Sequence, residues 1–111
     1  MAQLGHTVFF NASHGKNLHK HNFRVEVVLE APYDPKTGFV AGIDVHDLMS
    51  SIDGLKKKLE NQNLNELFDP ASMENIAHYF IVGLKDKFPI KSVKIAETEN
   101  RYAIIFASEV L

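Results

Sequence analysis

Residues 19–30 read HKHNFRVEVVLE, and the alternation along this stretch decides the fold class. One face of the alternating segment carries His19, His21, Phe23, Val25, Val27 and Leu29. The opposite, mostly polar face carries Lys20, Asn22, Arg24, Glu26, Val28 and Glu30. A two-residue repeat with one apolar face is typical of a β-strand in an antiparallel sheet that buries one side.

Three further strands and two helices can be placed around this segment. A β-branched and aromatic run at residues 7–14 predicts a strand, which a short turn at residues 15–18 joins to residues 19–30. Two more strands, residues 92–98 and 102–110, close the polypeptide around a tight turn. The order β-β-α-α-β-β favours an α+β fold, with a four-stranded antiparallel sheet and both helices on one face.

Capping signals predict where the two helices begin. Asp44 can cap the first helix, whose apolar stripe comprises Leu48, Ile52, Leu55 and Leu59. Asp69 followed by Pro70 predicts the start of the second helix, which residues 87–89 should end. The apolar stripe of that helix comprises Met73, Ile76, Ala77, Phe80, Ile81 and Leu84. Between the helices, Leu64 and Leu67 are expected to anchor an irregular segment.

Composition limits the class of protein. The 111 residues contain no internal repeat or linker, so we expect a single domain over residues 1–111. A net charge of −2 offers no basic surface for nucleic acid, and no apolar run has the length of a membrane span. Without cysteine, disulfides and thiolate ligands are excluded. The first six residues lack the features of a signal peptide, and we expect a cytoplasmic protein.

The sheet face away from the helices is predicted to be unusually apolar. It should carry Phe9, Val28 and alternate residues of the last strand. Such a surface favours oligomerisation through sheet edges or faces.

Three histidines are predicted to converge at the first hairpin. His19 and His21 leave the same face of one strand, and alternation places His14 on the inward face of the preceding strand. The short turn forces the two strands to pair, which brings His14 beside His19 or His21. Three neutral imidazoles with an open fourth position suit Zn²⁺. The alternative is a chance cluster, because six of the 111 residues are histidine. His6, at an expected frayed end, His46 and His78 are interpreted as solvated or packing residues.

Six sequence blocks resemble the 6-pyruvoyl-tetrahydropterin synthases and the related 6-carboxytetrahydropterin synthases of the queuosine pathway. Residues 10–14 resemble the family's Phe-x-Ala-x-His strand, and residues 19–23 resemble its His-Gly-His-Asn-Tyr block. The other four blocks are residues 38–45, 59–65, 72–77 and 93–98. Their order and spacing agree with the family over nearly the whole sequence.

The resemblance implies a tunnelling fold that assembles into an oligomeric barrel, as a homohexamer built from two trimers. It implies that His14, His19 and His21 bind zinc and that Glu97 anchors the pterin ring in a pocket formed between subunits. One carboxylate can accept both donors of a pterin edge. A surface carboxylate at the strand end is the alternative for Glu97.

The block at residues 72–77 places Ser72, Met73 and Glu74 at the substrate pocket. For Glu74 we favour a role in the first turn of a helix, near the positive end of its dipole, with pterin contact second.

Two catalytic features of the family are absent. Its cysteine position is Gly15, and its Asp-His pair is Glu60-Asn61, whose amide cannot transfer a proton near neutrality. Lys16 or Glu60 could replace the missing acid–base group, and Lys16, Lys20 or Arg24 could meet a phosphate.

The leading hypothesis is therefore a divergent zinc-dependent lyase. It would act on 7,8-dihydroneopterin triphosphate or a related dihydropterin, by triphosphate elimination or by carbon–carbon cleavage in the pterin's side chain. A zinc- and pterin-binding protein without catalysis is the alternative, and a structural oligomer with packed histidines is the third.

Overall fold

The computed structural model describes residues 1–110 and has the predicted α+β architecture, with one four-stranded antiparallel sheet. Its strands are β1 (Ala2–His14), β2 (His19–Ala31), β3 (Tyr33–Asp34), β4 (Phe39–Val40), β5 (Ile90–Thr98) and β6 (Arg101–Phe106). The main sheet has the order β1-β2-β5-β6, and β3 and β4 form a separate small hairpin. The helices are α1 (Val45–Lys57) and α2 (Met73–Leu84).

The long hairpin of β1 and β2 forms one half of the sheet. Its register runs without interruption from the pair Ala2–Ala31 to the pair His14–His19. The residues on the inner face of β2, from Phe23 to Leu29, are fully buried against the helices. β5 continues the same inner face with Val93 and Ile95. The period-two pattern of residues 19–30 therefore predicts the core face correctly.

The start of α1 is confirmed and the predicted start of α2 is wrong. Asp44 accepts a hydrogen bond from the backbone N–H of His46, as a helix cap should. The cap of α2 is Ser72, whose Oγ accepts from the N–H of Asn75 at 3.1 Å. Asp69 and Pro70 precede the helix. The Pro70 carbonyl instead accepts a hydrogen bond from the side chain of Asn75 at 2.8 Å.

Five smaller expectations also need correction. β1 begins at Ala2 rather than at residue 7, so His6 lies half-buried within a strand and not at a frayed end. Leu64 is buried in a 3₁₀ turn, whereas Leu67 is exposed because the turn directs it outward. α2 already ends at Leu84, and β6 ends at Phe106, where a second 3₁₀ turn follows.

The outer face of the sheet carries exposed apolar side chains, as expected. Phe9, on β1, is about half exposed, and so are the outward-facing residues of β6, which are Tyr102, Ile104 and Phe106. Phe9, Arg24, Ala96 and Tyr102 lie opposite one another in a row that crosses all four strands. Both β1 and β6 are edge strands, so the apolar patches reach both edges.

Neither α1 nor α2, nor any other helix within residues 1–110, is long and apolar enough to cross a membrane.

We predict that Ser72→Ala destabilises the protein by about 1 kcal/mol, because it leaves the N–H of Asn75 without its partner. Asp69→Ala is the matched control and should change the free energy of unfolding by less than about 0.5 kcal/mol. Urea denaturation of both variants measures the difference. A larger loss for Asp69→Ala than for Ser72→Ala would contradict the cap assignment.

Candidate metal centre

The three histidines of the hairpin lie close together at its turn end. His14 is directly opposite His19 in the β1–β2 register, and His21 is one pair further along the same face. The ring centroids are 4.9 Å apart for His14 and His19, 5.2 Å for His14 and His21, and 4.6 Å for His19 and His21. The hairpin therefore groups the three imidazoles as the sequence predicted.

Backbone carbonyl groups fix the orientation of two of these rings. His14 Nδ1 lies 2.7 Å from the carbonyl oxygen of Ala71, just before α2, and His19 Nδ1 lies 2.6 Å from that of Asn17. A carbonyl oxygen only accepts, so each Nδ1 carries the proton and donates. In this neutral tautomer Nε2 keeps its lone pair. A metal ion that binds through Nε2 requires that lone pair.

Glu97 joins the cluster from β5. Its Oε2 lies 3.0 Å from His21 Nε2, and its Oε1 lies 3.8 Å from His14 Nε2. The 3.0 Å contact is close enough for a hydrogen bond, yet His21 Nε2 has no partner with hydrogen-bond geometry. Hydrogen bonds weaken steeply when donor and acceptor are misaligned. The contact between Glu97 and His21 is therefore short but is not a hydrogen bond.

The donor set fits a metal ion. His14 Nε2 and His21 Nε2 are buried nitrogen atoms without hydrogen-bond partners, and buried polar groups normally have one. One donor atom from each of His14, His19, His21 and Glu97 can be chosen so that all four lie within 4.8 Å of one another. Imidazole nitrogen and carboxylate oxygen are ligands of divalent transition metals. These four residues can therefore hold a metal ion.

Burial sets the protonation of His21. Loss of solvent is the main cause that lowers the pKa of His21 below its ordinary value of 6.5, and the negative charge of Glu97 opposes this effect. His19, His14 and Arg101 lower the pKa further because they are, or can become, positively charged. The neutral imidazole is favoured, and only the neutral form can ligate a metal.

An open cleft of about 520 Å³ adjoins the cluster on the side of α2. His14, Lys16 and Ser72 line this cleft, together with the segment before α2. Met73 follows Ser72 and is half-buried, whereas Glu74 is exposed in the first turn of α2. The structure therefore places Ser72 and Lys16 beside the histidine cluster and Glu74 on the surface.

Glu60 and Asn61 lie apart from the histidines of their own subunit. Glu60 Oε2 accepts a hydrogen bond from the backbone N–H of Asn11 at 3.2 Å, at the outer edge of β1. Asn61 N–H donates to the Asn11 carbonyl at 2.6 Å. The structure therefore does not bring Glu60 to the candidate metal centre.

Gly15 is held in a conformation that suits glycine. Its φ is +99°, and a Cβ atom built on it would lie 2.7 Å from His19 Cε1. Asn65 fixes the backbone on both sides, since Gly15 N–H donates to Asn65 Oδ1 and Asn65 Nδ2 donates to the Gly15 carbonyl. A side chain at this position would compete with the ring of His19 for space.

Sequence reasoning missed the contacts that connect distant segments at this site. The carbonyl of Ala71 and the side chain of Asn65 contact the hairpin across 57 and 50 positions respectively, and no local pattern predicts either contact. The sequence contains one weak indication that Glu97 lies beside the histidines. Val93, Ile95 and Glu97 alternate, so Glu97 is expected on the inner face.

We predict that the metal-free protein loses stability as the pH falls below about 6.5. Because the pKa of His21 is lowered in the folded state, the unfolded state binds more protons in this range. The contribution of neutral His21 to the free energy of unfolding is therefore fully present above the ordinary pKa of 6.5. It is lost as the pH falls from this value through the lowered pKa of the folded state. The free energy of unfolding in chelator-containing buffer should decrease from about pH 7.5 to pH 5.5.

His21→Asn should flatten this decrease, whereas His78→Asn, which replaces an exposed histidine on α2, should keep it. Urea denaturation at each pH measures the slope. An equally steep decrease in His21→Asn would contradict the role of His21.

We also predict that Gly15→Ala disturbs His19. Gly38→Ala is the matched control, because Gly38 has a φ of +79° but no atom within 4 Å of a built Cβ. The left-handed backbone should cost both variants about 1–2 kcal/mol. Gly15→Ala should lose about 1–3 kcal/mol more through crowding.

Urea denaturation gives the energies, and the imidazole NMR signals of His19 report the displacement. Equal losses in the two variants, with unchanged His19 signals, would contradict the clash.

The protein matches a known family along almost its whole length. The sequence profile described as 6-pyruvoyl tetrahydropterin synthase matches residues 3–108. A dihydroneopterin monophosphate aldolase from Pyrococcus furiosus is 32% identical over 94 residues, which cover 79% of each protein.

Solved structures share the fold. The 6-pyruvoyl tetrahydropterin synthase of Caenorhabditis elegans has a TM-score of 0.84 at 22% identity, over 95% of this protein and 94% of that one. A Plasmodium vivax 6-pyruvoyltetrahydropterin synthase with a catalytic glutamate replaced by alanine has a TM-score of 0.71 at 18% identity, over 94% and 96%. The architecture, the sequence profile and the aldolase relative agree, and the protein belongs to the 6-pyruvoyl tetrahydropterin synthase family.

Proposed function

We propose that the protein is a zinc-dependent lyase that cleaves a carbon–carbon bond in the side chain of a 7,8-dihydroneopterin phosphate. The observation that carries this proposal is the cluster of His14, His19 and His21, with two buried ring nitrogens lacking partners beside an open cleft. A bound zinc ion at these three histidines supplies a Lewis acid that polarises oxygen atoms of the substrate.

The aldolase relative favours carbon–carbon cleavage over triphosphate elimination. It is more similar in sequence than the two synthases of solved structure, and its name specifies dihydroneopterin monophosphate. Gly15 supports the same choice, since the synthase mechanism that the resemblance implies uses a cysteine at this position. A side chain at this position would also crowd the ring of His19, since a built Cβ lies 2.7 Å from His19 Cε1.

The proposed reaction is a retro-aldol cleavage. The hydroxyl group on C2′ loses its proton and becomes the carbonyl of the departing two-carbon phosphate. The bond between C1′ and C2′ breaks, and its electron pair moves onto C1′, where the neighbouring imine of the dihydropterin ring delocalises it. A proton then adds to C1′ and gives the 6-hydroxymethyl dihydropterin. The reaction needs an acid–base group but no oxidant or reductant.

Lys16 and Glu60 are the acid–base candidates. Of the two, Lys16 lies nearer to the histidine cluster of its own subunit, because it lines the same cleft as His14. Its ammonium group can also bind the substrate phosphate there. Glu60 would have to act in the site of a neighbouring subunit, because it lies at the outer edge of β1 in its own subunit. The catalytic glutamate of the Plasmodium vivax protein supports a carboxylate in such a role.

The pterin ring is proposed to bind through Glu97 and the start of α2. Glu97 can accept the ring N–H and amino group together. Ser72 borders the cleft beside His14, and half-buried Met73 follows it at the start of α2. Both are proposed to contact the ring or its substituent. Glu74 is exposed in the first turn of α2, where a carboxylate favours the helix dipole, so its pterin contact stays the secondary interpretation.

Assembly is part of the proposal. Residues 1–111 are proposed to act as one domain in the cytoplasm, and six copies are proposed to form two stacked trimers. The exposed apolar side chains of Phe9, Tyr102, Ile104 and Phe106 support an interface on the outer face and edges of the sheet. In such an assembly, Glu60 of one subunit can approach the histidines of another.

A zinc- and pterin-binding protein without catalysis is the second candidate. It is favoured by the positions of Gly15 and Asn61, because neither residue offers a group that transfers protons. The same substrate tests both candidates.

We predict that the zinc-loaded protein releases a two-carbon aldehyde phosphate from 7,8-dihydroneopterin monophosphate. Turnover of the triphosphate, with release of inorganic triphosphate, should be slower or absent. Chromatography of the pterin products and an enzymatic aldehyde assay measure the two reactions. His19→Ala should lower turnover about 100-fold or more, because it removes a proposed ligand. His78→Ala, on the exposed face of α2, should leave turnover unchanged.

Triphosphate release without aldehyde would overturn the aldolase reaction in favour of a synthase reaction. Tight biopterin binding without turnover of either substrate would establish the binding protein instead.

A further inference from the structure

The carboxylate of Glu97 lies inside the histidine cluster rather than beyond it. Its oxygens are 3.0 Å from His21 Nε2 and 3.8 Å from His14 Nε2. Two ligand atoms of a tetrahedral zinc ion, each about 2.0–2.2 Å from the metal, are separated by roughly 3.3 Å. Glu97 Oε2 is slightly closer than this to His21 Nε2, and the other oxygen, Oε1, is slightly farther than this from His14 Nε2. With one ligand atom from each residue, the three histidines and Glu97 lie within 4.8 Å of one another, which is compatible with a single ion.

The orientation of the two groups leads to the same interpretation. The contact between Glu97 and His21 lacks the alignment of a hydrogen bond, although the atoms are close enough for one. His14 donates through Nδ1 to Ala71, so its Nε2 turns a lone pair towards the carboxylate. A lone pair facing a carboxylate is repulsive unless a cation stands between them.

Glu97 has no competing partner in the described part of the protein. Its side chain is only 12% exposed, yet none of the hydrogen bonds found within residues 1–110 ends on its carboxylate. Burying a carboxylate without donors or a cation is costly. A metal ion at the cluster would stabilise this carboxylate and the two ring nitrogens at once.

The backbone of β5 is irregular at Glu97, on the inner face that the alternation of Val93 and Ile95 indicates. Ala96 pairs with Tyr102, but Thr98 pairs with Arg101, so the register shifts and leaves Glu97 without a partner on β6. Such a bulge redirects a side chain, and bulges are common beside functional sites.

We propose that Glu97 is the fourth protein ligand of the metal in the substrate-free protein. The site then has three histidines and one carboxylate, and it is closed until a substrate arrives. This inference needs only the metal of the proposed function. A further consequence rests on the proposed substrate: Glu97 cannot hold the far edge of a pterin ring while it binds the metal, so it must leave the metal when the pterin binds.

Cobalt spectroscopy on the protein of residues 1–111 tests the inference. Co²⁺ replaces Zn²⁺, and its visible absorption reports changes in the ligands. With Glu97 bound, the wild-type spectrum should stay constant from about pH 6.5 to pH 9. In Glu97→Ala a water molecule takes the fourth position, and zinc-bound water has a pKa of about 7 in favourable sites. The spectrum of this variant should therefore change with pH.

The affinity for Zn²⁺, measured by competition with a chelator, gives a second readout. Glu97→Ala should weaken binding by about 10-fold to 100-fold or more. Glu97→Gln retains the size of the side chain and guards against a packing effect. Glu99→Ala is the matched control, since Glu99 is an exposed carboxylate two positions away. Circular dichroism confirms that each variant is folded.

The outcomes separate this inference from the proposed function. A pH-dependent spectrum and weaker binding in both Glu97 variants, with Glu99→Ala like the wild type, support the inference. Weaker binding with an unchanged, pH-independent spectrum in Glu97→Ala shows a remote charge effect and overturns it. A wild-type spectrum that already changes with pH also overturns it, while zinc binding and the proposed function survive. A wild type that binds neither Zn²⁺ nor Co²⁺ overturns both.

Discussion

The antiparallel register between β1 and β2 is the constraint on which the rest of the molecule depends. It places the inward residues of the two strands opposite one another, and these include the hydrophobic pair Phe10 and Phe23 and the pair His14 and His19. A shift of one residue would move each side chain to the opposite face and would both expose the core and disperse the histidines. The same backbone pairing therefore secures the hydrophobic core and assembles the candidate metal centre.

The elements that depend on local pattern were predictable, and those that depend on distant contacts were not. The alternation of residues 19–30 was sufficient to place β2 and the core face. The strand at residues 7–14 and the short turn after it were also needed to predict the convergence of the histidines. The predicted start of α2 is wrong because Asp69 and Ser72 are both good capping residues. Which one caps depends on where the helical backbone begins, and the carbonyl of Ala71 is held at that point by His14.

The role of Glu97 shows a similar limit of sequence reasoning. Alternation along β5 indicates its face, and the family resemblance suggests a pterin contact. The register shift between Ala96 and Thr98 depends on pairing with β6 and leaves no local signal. The shift lies at Glu97 itself, whose carboxylate is close to His14 and His21. The grouping of the three histidines was therefore predictable from the first hairpin, whereas the place of Glu97 among them depends on how β5 pairs with its neighbours.

The segment after α1 covers one end of the exposed edge of β1. Asn61 and Gln62 lie along the edge of β1, where Asn61 N–H donates to the Asn11 carbonyl and the Gln62 carbonyl accepts from Ser13 N–H. Glu60 occupies the remaining N–H of Asn11. Because hydrogen-bonding groups alternate along a strand, the edge open to a strand from another subunit runs from Gln3 to Phe9. In the proposed assembly, this segment would stop an incoming strand before the histidines, and it would thereby fix the offset between neighbouring copies.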